Sequence, residues 1–373
     1  MMTKFKGAYD RSLARAARAA MVDVAGVRKG ERVLIITNPM KATREISMSL
    51  FDVTLDRGGV PVLVVQREKG QFDIAEEEVV KSIGTNPDIV ISICQDRLGK
   101  DRHGMMHGYK GKKRRYESIY DLLFEEKKLR TFWSPGITLD MFKRTVPIDY
   151  TRLRSDAKRI CKIMTDSERV RVTAPGGTDF TIGLRGRKAK ADDGNYRMRG
   201  RGGNVPSGEA YACPALGTAN GVIAFDGSIV LNEGEIVIKK PILAEVSGGF
   251  ATKISGGNEA HELEESVREG ETKARQMGKS GDLRPALAKK YAKNAWAIGE
   301  LGIGLNRKAK IVANMLEDEK VYGTCHFAVG SNYDGDAEAL IHLDGLVKSP
   351  TITAFSRSGN RSEFMIDGAL SWD

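Results

Sequence analysis

The chain has 373 residues and 41% hydrophobic content, which suits a sizeable core divided between two domains. No apolar run reaches the roughly 18–20 residues that span a bilayer, so we expect no membrane insertion. The net charge of +10 falls mainly in residues 100–115 and 185–201, without the pattern of interleaved aromatic residues that stacks nucleic-acid bases. We therefore expect no nucleic-acid partner.

The N-terminus and the cysteines are typical of a cytoplasmic protein. Residues 1–20 are basic, lack the apolar core and cleavage site of a signal peptide, and predict an amphipathic first helix. The cysteines are scattered without CxxC spacing, which is typical of reduced thiols in a cytoplasm. They are Cys94, Cys161, Cys213 and Cys325.

Strand and helix patterns alternate along residues 1–150. A buried strand is predicted at residues 33–37, and a helix follows that ends at the Gly-Gly pair of ATREISMSLFDVTLDRGG. Further strands are predicted in VPVLVVQ, NPDIVISI and LRTFWSP. This order predicts an N-terminal parallel, doubly wound α/β domain. No GxGxxG motif follows the first strand, so a dinucleotide site is not expected.

The basic residues 100–115 interrupt this alternation. His103 and His107 are four residues apart, as in a helical metal-binding pair, but Gly104 and Gly108 favour a loop. We interpret the segment as a mobile, basic lid that attracts acidic groups of a substrate.

Residues 151–373 have a different pattern, in which strands alternate with glycine-containing turns. RVRVTAPGGTDFTIGL and GVIAFDGSIV each predict a hairpin, and helices are predicted at residues 258–277 and 285–293. The second domain is therefore predicted to be a strand-rich α+β domain, and it carries the candidate metal-binding residues.

Two glutamates occur in unusual surroundings. Glu209 lies in GNVPSGEAYACPA, in a tight turn, where rigid scaffolds present functional groups. The alternative is an ordinary surface glutamate. Glu300 lies in the apolar run AWAIGELGIGL, where a carboxylate is costly unless it is paired, protonated or bound to a metal. The alternative here is a salt-bridged glutamate in the core.

Two histidines and an aspartate extend this set. His342 and Asp344, in ALIHLDGLV, point to the same face of a strand and would form half of a divalent metal site. The alternative is an internal His–Asp hydrogen bond, and His326 by itself would be an ordinary core histidine. Three carboxylates and two imidazoles suit two zinc-like ions and hydrolytic chemistry. A structural ion in a non-catalytic binding protein remains an alternative.

Four segments resemble the aminopeptidase T family of metallopeptidases: NVPSGEAYACP, IGELGIG, TCHFAVGSNY and LIHLDG, in that order. The segment GERVLIITNP also resembles that family's opening strand. The resemblance implies two divalent ions, zinc or cobalt, a homodimer, and removal of N-terminal residues from a peptide substrate. The metal ligands that it implies are Glu209, Glu300, His326, His342 and Asp344.

On this interpretation the chain is a metal-dependent aminopeptidase, in which a metal-activated water attacks the peptide carbonyl. Glu300 would bridge the two metal ions and also transfer a proton to the leaving nitrogen. Tyr333, seven residues after His326, would donate a hydrogen bond to the oxyanion. The alternative for Tyr333 is a packed aromatic ring with a solvated hydroxyl.

Two departures from the peptidases concern the substrate. The spacing from His326 to His342 is shorter than in the peptidases, and Gly208 stands where they often carry a second acid. A branch of similar fold, which resembles dihydroxypyridine dioxygenases, uses a single iron held by the final His-x-Asp and a further histidine. A mononuclear non-haem iron ring-cleaving dioxygenase is therefore the alternative function, although Glu209 and Glu300 favour two metals.

Overall fold

The structure is a computed structural model that describes residues 10–70, 73–112 and 114–373. The start of the predicted first helix lies outside these residues. The helices are α1 (Arg11–Arg18), α2 (Lys41–Asp56), α3 (Glu77–Gly84), α4 (Arg102–His107), α5 (Ile119–Glu125), α6 (Leu139–Thr145), α7 (Tyr150–Thr165), α8 (Asn258–Ser280), α9 (Pro285–Asn294) and α10 (Met315–Asp318). A π-helical segment, Ala19–Val24, continues α1.

The strands are β1 (Arg32–Thr37), β2 (Val60–Val65), β3 (Ile89–Ile93), β4 (Tyr109–Lys110), β5 (Arg115–Tyr116), β6 (Arg130–Trp133), β7 (Ser167–Thr173), β8 (Asp179–Gly183), β9 (Lys190–Asp192), β10 (Gly202–Asn204), β11 (Glu209–Ala212), β12 (Asn220–Phe225), β13 (Ser228–Leu231), β14 (Gly234–Val237), β15 (Ile242–Ser247), β16 (Phe250–Ser255), β17 (Ile298–Gly304), β18 (Thr324–Gly330), β19 (His342–Lys348), β20 (Thr351–Ser356), β21 (Arg361–Ile366) and β22 (Ala369–Leu370). No helix within the described residues combines the length and the apolar character needed to cross a membrane.

The chain divides into two compact units. The first extends to Arg154 and also includes Asp192–Ser207, and the second comprises Ser155–Ala191 and Gly208–Asp373. The sequence predicted one boundary at residue 150. The first unit instead has two segments, because β10 pairs with β6 at the edge of its sheet. A three-residue strand rich in glycine has no apolar pattern from which to predict that pairing.

The first unit contains a parallel sheet in the order β10-β6-β3-β1-β2. Strand β1 pairs in parallel with β2 on one side and with β3 on the other. Residues of β1 and β3 pack with apolar side chains of α3, such as Val79 and Ile83, in a buried core. The general α/β class is therefore confirmed, since continuous apolar strands alternating with helices form a parallel sheet.

The predicted loop at residues 100–115 is wrong in part, because His103 and His107 lie in the short helix α4. The Asp101 carboxylate caps this helix by accepting a hydrogen bond of 2.8 Å from the Gly104 N–H. The helix ends at Gly108, which has a positive φ of 65°. Strands β4 and β5 then form a small antiparallel hairpin. The mobility and the covering role of this segment remain predictions.

The second unit contains two large sheets. The order in the seven-stranded sheet is β14-β13-β19-β18-β17-β11-β9, and in the eight-stranded sheet it is β16-β15-β12-β8-β7-β20-β21-β22. Every residue of β17 and β18 is buried. Aromatic side chains connect the two sheets: the rings of Phe180 and Phe327 meet edge to face at 5.1 Å. The central strands of the first of these sheets therefore lie deep in the unit.

One predicted hairpin, GVIAFDGSIV, is wrong. Its first strand, β12, pairs with β8 and β15 in the eight-stranded sheet, whereas its second, β13, pairs with β14 and β19 in the other sheet. The Asp226 and Gly227 N–H groups both donate to the Leu346 carbonyl, which directs the chain from one sheet to the other. The hairpin predicted in RVRVTAPGGTDFTIGL is present as β7 and β8.

Candidate metal centre

Four neighbouring strands of the seven-stranded sheet carry the predicted site residues. Glu209 is on β11, Glu300 on β17, His326 on β18, and His342 and Asp344 on β19. The register places Glu300 opposite Ala328, and Ala328 opposite Asp344. Because side chains two residues apart share a face of a strand, the five side chains project from the same face.

The ligand atoms of the five side chains lie close to one another. His326 Nε2 lies 3.5 Å from Glu209 Oε2 and 3.5 Å from Glu300 Oε1. The other Glu300 oxygen, Oε2, lies 3.8 Å from His342 Nε2, which in turn lies 3.4 Å from Asp344 Oδ1. For Glu209, Glu300 and His326, one ligand atom of each lies within 4.8 Å of the others. The predicted residues thus converge, although their role as metal ligands remains a prediction.

Burial makes this cluster costly without a bound cation. His326 is fully buried, and Glu300, Glu209 and Asp344 are 3%, 7% and 7% exposed. Buried polar atoms are almost always hydrogen-bonded, because leaving them unpaired costs the desolvation energy of each group. The buried atoms with no hydrogen-bond partner include Glu209 Oε2, Glu300 Oε2, Asp344 Oδ1, and Nδ1 and Nε2 of His326. These atoms are of the types that bind a divalent transition metal, so the residues fit such an ion.

Glycine at position 302 makes room for His326. A Cβ atom at Gly302 would lie 1.9 Å from His326 Nε2, so the imidazole ring lies directly over the glycine backbone. The two residues face each other in the register of β17 and β18. Gly302 is therefore part of the site, since any side chain at this position would displace the imidazole ring of His326.

The orientation of His342 is set by the backbone. Its Nδ1 lies 2.8 Å from the Ser331 carbonyl oxygen, to which it donates a hydrogen bond. This bond leaves Nε2 as the nitrogen that faces Glu300 and Asp344. Metal-ligating histidines commonly use one nitrogen for the metal and the other for such a partner.

The pKa shifts in the cluster follow from burial and the neighbouring charges. Burial alone would lower the pKa of His326, but the close contact with the Glu300 carboxylate and the charge of Glu209 raise it to about 9. The pKa of His342 is lowered by burial but raised more by Asp344, to about 10. Burial raises the pKa of Glu300. These shifts indicate that the carboxylates give the cluster an excess of negative charge. Protonated His326 and His342 offset that charge in the absence of a metal cation.

The pKa of Asp344 shifts in the opposite direction to that of Glu300 and is lowered to about 2. Burial acts to raise it, and the positive charge of the adjacent His342, in close contact with the carboxylate, outweighs burial. The attraction of the nearest imidazole is therefore stronger than the repulsion between carboxylates.

Sequence reasoning missed Lys320 and Glu319. Lys320 is fully buried, and its Nζ lies 2.6 Å from Glu209 Oε1 and also contacts Glu319. Burial raises the pKa of Glu319 to about 8, and the charge of Lys320 opposes this rise. In the sequence both residues belong to the charged run LEDEK, which looks like the exposed end of a helix. No local signal distinguishes them from solvated residues.

Tyr333 lies at the border of the cluster. Its side chain is largely exposed, with 60% of the residue surface accessible. The ring centroid lies 5.0 Å from that of His342 and 5.9 Å from that of Tyr211. The loop that carries it is held by ion pairs from Arg187 and Lys190 to Asp334. The ring therefore approaches the site from its open side, and its catalytic role remains a prediction.

The glycine before Glu209 is required by the backbone. Gly208 has a φ of +145°, and a Cβ atom at this position would lie 2.7 Å from the Cβ of Asn306. Its carbonyl accepts a hydrogen bond of 2.8 Å from the Leu305 N–H. A second acid at position 208 would therefore clash, which limits the negative charge of the cluster.

Comparison with known proteins gives both fold and family. The structure of 2,5-dihydroxypyridine dioxygenase from Pseudomonas putida KT2440 is similar with a TM-score of 0.69 and 15% identity, covering 97% of each chain. Wild-type AmpT from Thermus thermophilus is similar with a TM-score of 0.65 and 16% identity, covering 97% of this chain and 99% of that one. No curated protein matches the sequence. Structural likeness at this identity shows a shared fold.

The chain thus shares its fold with a 2,5-dihydroxypyridine dioxygenase and with AmpT. The model of the family NicX, 2,5-dihydroxypyridine 5,6-dioxygenase, matches residues 14–353, and the chain belongs to that family. The assignment to the aminopeptidase T family is therefore wrong, and so is the interpretation as a hydrolase acting on peptides. Both were based on four short motifs of this sequence, whereas the family model matches nearly the whole chain.

Proposed function

We propose that this protein is a metal-dependent oxidoreductase that opens the ring of a dihydroxypyridine with molecular oxygen. The observation that carries the proposal is the convergence of His326, His342 and Asp344 on one face of the sheet, among buried atoms that have no hydrogen-bond partner. Membership of the 2,5-dihydroxypyridine 5,6-dioxygenase family supports the substrate class.

The donor set supports iron. Two histidines and one carboxylate on one side of an ion form the ligand set of many non-haem iron oxygenases, which leaves positions open for substrate and oxygen. In this proposal His326, His342 and Asp344 hold a single ferrous ion. The bound ion supplies the redox chemistry that allows oxygen to react with the ring. In this proposal a single iron replaces the two zinc or cobalt ions that the sequence predicted.

Glu300 is the residue best placed to move a proton. Its Oε2 is buried without a hydrogen-bond partner and faces His342 at 3.8 Å. A substrate hydroxyl entering beside His342 would meet this oxygen, and loss of its proton makes the ring more electron-rich. We propose that Glu300 accepts that proton, in place of the bridging and peptide-directed roles first assigned to it.

Tyr333 would contact the substrate ring. Its own ring lies beside that of His342 and close to Tyr211 on the exposed side of the cluster. Aromatic surfaces at such distances bind a planar heterocycle by offset or edge-to-face packing. In this proposal Tyr333 orients a small ring, and the oxyanion role in peptide hydrolysis is dropped.

The substrate type, the oligomeric state and the cellular location are further proposals. The substrate would be a small planar ring rather than a peptide. We retain a homodimer and a cytoplasmic location as proposals, whereas the attraction of the basic residues 100–115 for acidic groups was expected of a peptide substrate and is dropped. None of these is needed for the chemistry at the cluster.

Oxygen consumption with a defined metal tests the proposed function. The metal-free protein is loaded anaerobically with Fe²⁺ or with Zn²⁺, and 2,5-dihydroxypyridine is added in air-saturated buffer. We expect oxygen uptake and loss of the ring absorbance with Fe²⁺ alone. Equal activity with Zn²⁺, or no oxygen uptake with either metal, would contradict the proposal.

A further inference from the structure

Lys320 places a positive charge inside the cluster. Its side chain is fully buried, and its Nζ contacts Glu209 Oε1 at 2.6 Å together with a carboxylate oxygen of Glu319. Burying an ammonium group is unfavourable unless opposite charges surround it, and here two carboxylates do. The lysine is thus a component of the site rather than a surface residue that happens to lie nearby.

Hydrogen bonds fix the backbone that carries Lys320. The Lys320 N–H donates to the Glu317 carbonyl at 2.9 Å, and the Lys320 carbonyl accepts from the Asn306 N–H at 2.7 Å. Asn306 packs against Gly208, the residue that precedes Glu209. The backbone segments that carry Lys320 and Glu209 are therefore connected through Asn306.

The contact divides the cluster into two halves. Lys320 occupies Glu209 Oε1, so that only Glu209 Oε2 faces His326. On the other side, the ion-pair contacts of Glu300, His342 and Asp344 are with one another and with His326, at 3.4–3.8 Å. Lys320 therefore fills the position beside Glu209 and Glu319 that a second cation would need, and it leaves Glu300 and Asp344 as the carboxylates for one divalent ion.

We infer that Lys320 is an internal cation that takes the place of a second metal ion and restricts the cluster to one. The inference rests on the metal centre of the proposed function, and it identifies a residue that determines the number of metals. It also explains why five metal-binding side chains do not require two ions. Glu209 then serves mainly as the partner of Lys320, while His326, His342 and Asp344 hold the metal.

The test is the number of Co²⁺ ions bound per chain, measured by calorimetric titration of metal-free protein and by the visible absorption of the complex. We expect one ion in the wild type and two in Lys320→Met, because this variant frees the carboxylates of Glu209 and Glu319. Lys320→Arg retains the charge and should bind one. Lys289→Met, an exposed lysine on α9, controls for the substitution itself and should also bind one.

The double variant Lys320→Met with Glu209→Gln locates the second ion. It should return to one ion, since the freed carboxylate is lost again. A wild type that binds two ions overturns the inference even if Lys320→Met fails to fold, and so does a folded Lys320→Met that binds one. A wild type that binds no ion contradicts the metal centre itself and hence the proposed function. The two failures are therefore distinguishable.

Discussion

His342 and Asp344 form an ion pair on one strand, with Nε2 and Oδ1 3.4 Å apart, while the other nitrogen of His342 donates to the Ser331 carbonyl. The histidine is thus oriented before any ligand arrives. Preorganisation of this kind lets a metal bind without rearrangement of the strand.

Replacing His342 with glutamine should abolish iron binding. Loss of a partner outside the ligand set typically costs 10–100-fold in metal affinity, so loss of the ligand itself should cost about 100-fold or more. Iron per chain and oxygen uptake should fall together. His261→Gln, on the exposed surface of α8, is the matched control and should retain both. Unchanged iron content in His342→Gln would remove it from the ligand set.

Replacing Glu300 with glutamine should slow the reaction without preventing iron binding. The amide keeps the shape of the side chain but cannot accept the proton, and positioned general bases contribute about 10²–10⁴-fold to rate. We expect a fall in kcat of that order with one iron still bound. Normal kcat at full iron occupancy would show that Glu300 does not accept the proton.

Gly302→Ala should displace the His326 imidazole and so disturb the metal centre. The new Cβ would lie 1.9 Å from His326 Nε2, so the imidazole must move. Overpacking of this kind costs about 1–3 kcal/mol of unfolding free energy. We expect lower stability in urea and loss of bound iron. Gly84→Ala, where the nearest atom is 4.0 Å away, is the control and should change neither property.

Gly208→Ala tests whether the backbone excludes a side chain at position 208, where the peptidases often carry a second acid. At a φ of +145°, with Asn306 2.7 Å from the new Cβ, alanine is both strained and crowded. Strain at such backbone conformations costs about 1–3 kcal/mol. Urea unfolding should report a loss of that size. A variant as stable as the wild type would mean that the backbone does not exclude a side chain at this position.

The convergence of the cluster was predictable because its signals are local. Glu300 lies in an apolar strand, and the spacing of two between His342 and Asp344 places both on one face. The alternation of strands and helices likewise predicted a parallel sheet. These features depend on periodicity, which a single sequence contains.

The failures involve relationships between distant segments. Lys320 resembles a solvated residue until the fold brings it to Glu209, more than a hundred residues away. Whether β12 and β13 share a sheet depends on which strands compete for them, and not on the turn between them. The peptidase interpretation depended on four short motifs, and the family model that matches residues 14–353 overturns it.

The most direct test of the central claim is the origin of the oxygen atoms in the product. The iron-loaded protein is given 2,5-dihydroxypyridine under ¹⁸O₂, and the ring-opened product is analysed at once by mass spectrometry. A dioxygenase inserts both atoms of one oxygen molecule, so the account predicts a product with two ¹⁸O atoms. A product that takes its new oxygen from water, with no label from ¹⁸O₂, would contradict it.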